Sequence, residues 1–244
     1  MPAADAGAQT MIVVFWDIDG TLLTTGRGGV LALEDACVEV TGRALNLQSI
    51  KSDGLTDHQL AVKILEQAGA EPARERVGQF LRAYERQLPR RLPERRGHVL
   101  QNVREILTHM TLHRPHVHSL LLTGNTAAGA RAKLTHYELQ EFFDGGAFSD
   151  DTGPRAQIAV RALAHVTSVL GAEAVDVDRV FVVGDTIHDI DCARAIGAQS
   201  IAVATGVYDR EALAAHGAWK TVDHLPAPHL FDELIGAAGG ASSA

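Results

Sequence analysis

Three short stretches carry the residue types that could do chemistry. In "FWDIDGTL", Asp17 and Asp19 stand two residues apart where the apolar run "MIVVFW" ends. Side chains two apart on extended backbone point the same way, so these carboxylates can converge. Such a pair is unfavourable unless a cation lies beside it or one member holds a proton. Gly20 permits a tight turn, and the Thr21 hydroxyl can bond back across it. A plain Asp-Gly turn would explain Asp19 but not Asp17. In "LLTGNT", Thr123 ends a second apolar run, and Gly124 and Asn125 follow with backbone N–H groups ahead of a helix. A hydroxyl with helix-terminal amides can cradle an anion. The same residues also read as an ordinary helix start capped by Asn125 or Thr126. In "VVGDTIHDIDCA", Asp185 ends a third run and Asp189 follows four residues later. Carboxylates at strand ends suit a hard divalent cation such as Mg²⁺. Asp189 and Asp191 can instead complement a helix N-terminus, the reading preferred for Asp191.

The elements that must position these residues follow from the apolar pattern. Residues 11–16, 117–122, 179–183 and 200–204 read as buried strands, and 126–139, 155–170 and 188–196 have helical spacing. Strand, loop and helix in alternation predict an α/β core, a Rossmann-like parallel sheet with helices on both faces. Ligands bind such sheets beyond the carboxyl ends of the strands, where all three motifs fall. Residues 27–96 break the alternation and read as amphipathic helices at 28–41, 57–69 and 73–88 with a turn near 90–96. The expected organisation is a discontinuous core, 11–24 and 97–236, with a small all-helical cap at 25–96. The exit "PRRLPERRG" reads as a hinge. The ends, 1–10 and 237–244, read as frayed.

Composition sets the outer limits. The chain has 244 residues, 46% hydrophobic and 21% charged, with 22 basic residues against 30 acidic ones and a net charge of −8. That balance argues against nucleic acid and anionic membrane as partners, which attract an excess of Lys and Arg. It leaves room for a small phosphorylated metabolite in a locally positive pocket. The opening "MPAADAGAQT" lacks the basic and apolar regions of a secretory leader. The apolar runs fall far short of the roughly 20 residues that span a bilayer. Cys37 and Cys192 have no metal-type spacing and read as free thiols of a cytoplasmic protein. Monomer and homodimer both remain open.

Together and in this order, D-x-D-G-T-L, T-G-N and G-D-x-x-x-D resemble the haloacid dehalogenase superfamily in its phosphatase branch. The resemblance covers about 11–24 and 97–210, and the intervening helices look like the cap of many members. It implies Mg²⁺-dependent phosphoryl transfer through an aspartyl-phosphate. Asp17 would be the nucleophile, and Asp19 the acid that protonates the leaving oxygen and then the base that activates water. The Asp17 carboxylate, the Asp19 backbone carbonyl and Asp185 would hold the metal. Thr123 and the amides of Gly124 and Asn125 would bind phosphoryl oxygens, with Asp189 supporting the site from behind.

One departure stands out against that pattern. The family usually supplies a lysine, sometimes an arginine, between the second and last motifs, and no lysine lies between Lys133 and Lys220. Arg155, at a helix start, is the preferred replacement, since its fork of donors could bridge Asp17 and phosphate. Arg161, two turns on, is the poorer candidate. In the cap, Thr56 and Gln59 have capping-box spacing, while Thr56 and Asp57 could equally face substrate. The histidines in "HMTLHRPHVH" (109–118) follow no ligand pattern and are not read as a metal site. His188, inside the last motif, reads as a solvated residue of a helix start, with a place lining the site as the alternative.

The expected function is phosphatase action on a small phosphate monoester, with phosphoglycolate-phosphatase-like activity fitting the architecture best. The enzymatic alternatives are a β-phosphoglucomutase-like phosphomutase and a phosphonate hydrolase. The alternative from another class is a non-catalytic binding or regulatory protein of the same fold. Dehalogenation is disfavoured, because Asp19 serves a phosphatase and not a dehalogenase.

Overall fold

A computed structural model gives the fold and describes residues 11–48, 50, 54–149 and 153–237. Six strands form one sheet in which every pairing is parallel. Their order is β5 (Gly146–Ala147), β4 (Val117–Leu122), β1 (Ile12–Trp16), β6 (Val180–Gly184), β7 (Gln199–Val203) and β8 (Lys220–Val222). Trp16 at the end of β1 is level with Leu121 of β4 and Val183 of β6. The residues that leave these three strands, Asp17, Thr123 and Asp185, therefore emerge side by side at one edge.

The sheet is buried on both faces, which explains why its strands are continuous apolar runs and do not alternate. Along β1, Ile12, Val14 and Trp16 pack with α4 (Val103–His113) and α9 (Pro228–Ala237), where Trp16 stacks on Phe231 with ring centroids 5.4 Å apart. Val13 and Phe15 face the other way, onto α6 (Arg155–Leu170) and α7 (Ile187–Ala195). The chain reaches β4 through α4 on the first face and β6 through α6 on the second. Crossovers on opposite faces either side of β1 open a crevice at the carboxyl edge, where ligands bind this kind of sheet.

Between β2 (Leu23–Thr24) and β3 (His98–Val99), which pair antiparallel, lie α1 (Gly28–Thr41), α2 (Asp57–Gln67) and α3 (Arg74–Arg91). The buried residues of α3, Val77, Phe80, Ala83, Tyr84 and Leu88, fall three or four apart and form one apolar stripe against α1 and α2. Arg91 fixes the end of α3 to α1 through Asp35, at 2.6 and 2.9 Å. Both side chains are about a third exposed, so the pair adds about 1 kcal/mol at most.

Two details differ from the sequence reading. Helix α3 continues through Pro89 to Arg91, and the expected turn shrinks to a single 3₁₀ turn at Leu92–Glu94. Proline removes one intrahelical hydrogen bond, and here it does so near the helix end, between the fully buried Leu88 and Leu92. The strands β2, β3, β5 and β8 have only two or three residues, too few for periodicity to show. Among the described residues no helix is long and apolar enough to cross a membrane. The end segments 1–10 and 238–244 lie outside the described residues, and Ala237 closes α9.

Candidate active site

Asp17 leaves β1 with its N–H on the Val183 carbonyl at 3.0 Å, and its carboxylate is buried. Asp185 leaves β6, Asp189 sits in the first turn of α7, and both are buried. One oxygen from each of the three carboxylates lies within 4.8 Å of the others. The first residue of α6, Arg155, lies between two of them, 3.0 Å from Asp17 Oδ1 and bonded to Asp189 Oδ1. The second oxygen of Asp189 accepts from the Thr186 N–H at 3.0 Å and hydroxyl at 2.7 Å, closing a capping box on α7. Both oxygens of Asp189 are thus engaged.

Asp185 needs two glycines beside it. A Cβ on Gly20 would lie 2.4 Å from Asp185 Oδ2, and one on Gly206 would lie 1.8 Å away. Gly20 also has φ +83°, a left-handed conformation that other residues rarely adopt. Thr21 donates to Asp185 Oδ1 at 3.1 Å, and Thr205 ties down the turn by donating to the Gly20 carbonyl at 2.5 Å.

The cluster is short of positive charge. Burial pushes Asp17 up to about 6; Arg155 opposes the rise, while Asp189 and Asp19 add to it. Burial, then the charges of Asp17 and Asp189, push Asp185 well above the usual carboxylate range. Burial disfavours the charge on Arg155, but Asp189 and Asp17 outweigh it and hold the guanidinium firmly charged. One guanidinium facing three buried carboxylates leaves the cluster with excess acid. Hard oxygen donors in that state fit a divalent cation, which would favour the charged forms of Asp17 and Asp185.

Asp19 stands apart from this group, with its side chain 44% exposed. Asn125 Nδ2 donates to Asp19 Oδ2 at 2.9 Å and to the Thr123 hydroxyl at 2.8 Å. The Thr123 side chain also acts on the Asp17 carboxyl and lowers its pKa, so the T-G-N loop reaches both aspartates of the first motif. A second cation joins here: Lys133, on α5 (Ala127–His136), donates to Asp19 Oδ2 and Asn125 Oδ1, each at 2.5 Å. Sequence reasoning passed over Lys133 because the family's basic residue was sought after the second motif.

The helical insert supplies the opposite wall. Asp57, first residue of α2, donates its N–H to the Gly124 carbonyl at 2.7 Å and accepts the Thr126 N–H on Oδ2 at 2.8 Å. Gly124 makes the approach possible, because a Cβ there would lie 3.1 Å from the Leu55 carbonyl oxygen. Between the walls is a cavity of about 540 Å³. Asp17, Asp19, Asn125, Arg155 and Asp185 line it on the core side, and Arg27, Leu33, Leu60 and Tyr84 on the other.

Thr56 corrects one expectation. It is fully buried and is not on the cavity wall; its hydroxyl caps α2 by accepting the Gln59 N–H at 3.2 Å, with the Gln59 side chain returning the bond at 3.0 Å. The neighbouring Asp57 faces the cavity instead. Thr126, not Asn125, caps α5. His188 rests against Gly54, whose Cβ would lie 1.9 Å from its ring. Arg161 lines a separate cavity with Phe15, Leu120 and His165, so of the two arginines Arg155 occupies the site. In the histidine-rich stretch, His109 and Arg114 share Asp232, and His118 lies 3.4 Å from Asp144. Among the described residues the only cluster able to hold a metal is the buried acidic one. Both cysteines are buried and unpaired.

Comparison with known proteins agrees with this fold. Among curated proteins nothing matches. Among solved structures, a haloacid dehalogenase hydrolase of family IA, variant 3, from Entamoeba histolytica superposes with a TM-score of 0.70 at 20% identity, covering 94% of this chain and 100% of that one. CbbY from Rhodobacter sphaeroides, solved with phosphate, gives 0.69 at 16% identity over 88% of this chain and 94% of its own. A hydrolase from Pseudomonas syringae gives 0.66 at 19% identity over 92% and 97%. At such identities these likenesses establish the fold. The family model described as haloacid dehalogenase-like hydrolase matches residues 14–194, a span that takes in all three motifs. The chain is a member of the haloacid dehalogenase-like hydrolase family.

Proposed function

We propose that this chain is a Mg²⁺-dependent phosphatase that hydrolyses a small organic phosphate monoester through a phosphoryl group carried on Asp17. The observation that carries the reading is the position of Asp17. It is a buried carboxylate at the floor of a cavity of about 540 Å³, with Arg155 on one oxygen and two further acids beside it. A non-catalytic relative would have no use for that concentration of buried charge.

In the first step an Asp17 oxygen bonds to phosphorus as the ester P–O bond breaks, and Asp19 gives a proton to the departing oxygen. In the second, Asp19 takes a proton from water as the water oxygen attacks phosphorus, which frees inorganic phosphate and restores Asp17. Arg155 keeps the nucleophile's carboxylate oriented. Gly124, which lines the cavity, and Thr123, buried directly behind it, are the residues proposed to donate to the phosphoryl oxygens. Mg²⁺ would be held by the Asp17 and Asp185 carboxylates and the Asp19 backbone carbonyl, and when bound it supplies charge neutralisation for an anion meeting an anion.

The cavity suits a small ester whose leaving group rests against Leu33, Leu60 and Tyr84. Phosphoglycolate is one ester of that size. Sugar phosphates belong on the same panel, because a variant of CbbY was solved with xylulose-1,5-bisphosphate, at 17% identity to this chain. Turnover of a generic aryl phosphate tests the reading. Activity should require Mg²⁺, vanish with chelator and vanish in Asp17→Asn, and wild-type turnover in that variant would refute it.

A further inference from the structure

Lys133 has no part in the scheme above, yet it is among the most deeply buried charges of the chain, only 4% exposed. Burial disfavours its ammonium, but Asp19, Tyr84 and Asp57 outweigh that cost and hold it charged. A buried amine of this kind needs a reason to persist. Its bonds suggest one. Lys133 Nζ and Asn125 Nδ2 both donate to the same oxygen of Asp19, Oδ2, at 2.5 and 2.9 Å. Among the described residues no donor reaches Oδ1, and the Asp19 side chain, 44% exposed, lines the cavity.

An oxygen that accepts two N–H bonds has no room for a proton of its own. A proton on the Asp19 carboxyl group must then sit on Oδ1, the oxygen left to the cavity. Asn125 alone could not enforce this, because an amide can rotate away. Lys133 holds the amide as well, donating to Asn125 Oδ1 at 2.5 Å.

We propose that Lys133 is a positioning residue for the general acid, holding Asp19 by one oxygen so that the other delivers its proton to the leaving group. This rests on the phosphatase reading above. In the step concerned, the Asp19 Oδ1–H bond breaks and a hydrogen–oxygen bond forms on the ester oxygen as that oxygen leaves phosphorus. The electron pair of the broken P–O bond stays with the departing alcohol. Esters of poor leaving groups need this proton most, and nitrophenolate needs it least.

The test compares two esters, p-nitrophenyl phosphate and an alkyl phosphate, in wild type, Lys133→Met and Lys133→Gln. Positioned proton transfer contributes about 10²-fold or more. Lys133→Met should therefore lose about that factor in kcat on the alkyl ester, with less than about a tenfold loss on the aryl ester and little change in either KM. Lys133→Gln keeps a donor and should lie between, which also covers the case in which Lys133→Met does not fold. Equal losses on both esters would reduce Lys133 to a structural role and overturn the proposal. So would an undiminished alkyl rate. Asp17→Asn separates the two readings: it should abolish both activities, and a wild type inert on both esters would remove the phosphatase reading and this proposal with it.

Discussion

Asp57→Asn tests the electrostatics of the contact between the insert and the core. Asp57 is 6% exposed, and burial pushes its carboxyl up to about 6, with Lys133 and the Thr126 N–H opposing the rise. The unfolded chain ionises near the ordinary value of 3.8. The native state thus holds this proton more tightly than the unfolded one. Unfolding between those values releases a proton, so stability falls as pH rises. The contribution is fully present below about pH 4 and is lost once pH has risen through about 6. A shift of about two pH units corresponds to about 3 kcal/mol. The asparagine variant keeps an oxygen for the Thr126 N–H and cannot titrate. Urea unfolding of both proteins in chelator, at pH 4 and pH 7.5, gives the comparison. The wild type should lose about 3 kcal/mol more than the variant between the two conditions. A difference between the two proteins that does not change with pH would refute the reasoning.

Two further outcomes follow from the same contacts. Asp185→Asn removes a buried acid held against two others, so in chelator its melting temperature should exceed that of the wild type. With Mg²⁺ added the order should reverse, because the wild type gains stability by binding and the variant does not; thermal scans with and without metal check both signs. Thr56→Ala removes the hydroxyl that caps α2 and should cost about 1 kcal/mol in urea unfolding, with kcat on an aryl phosphate within about twofold of wild type, since Thr56 does not face the cavity.

How much of this was legible in the sequence depends on how far apart the cooperating residues stand. The core strands were plain because a sheet buried on both faces demands continuous apolar runs. The three motifs could be placed at one edge because parallel strands carry their carboxyl ends together. Asp17, Asp19 and Asp185 were legible as site residues on those grounds, Arg155 as the replacement for an absent lysine, and the four share one cavity. Lys133 was not, since its partner Asp19 is 114 residues away and nothing local to "ARAKL" marks that lysine as buried. The two roles open to Thr56 and Asp57 could not be separated for a similar reason. A helix start offers capping and ligand contact to neighbouring residues alike, and only the approach of α2 to Gly124 decides which of them meets the cavity. The short linking strands β2 and β3 escaped because two residues carry no period.

The central claim is that Asp17 becomes phosphorylated during turnover. Rapid acid quenching during hydrolysis of a good phosphoryl donor, followed by peptide mass analysis, tests it most directly. The account predicts one added phosphoryl group on the peptide containing Asp17, located on that residue, absent in Asp17→Asn and absent without metal. Full turnover with no phosphoryl group on Asp17 at any quench time, or one found on a different residue, would contradict it.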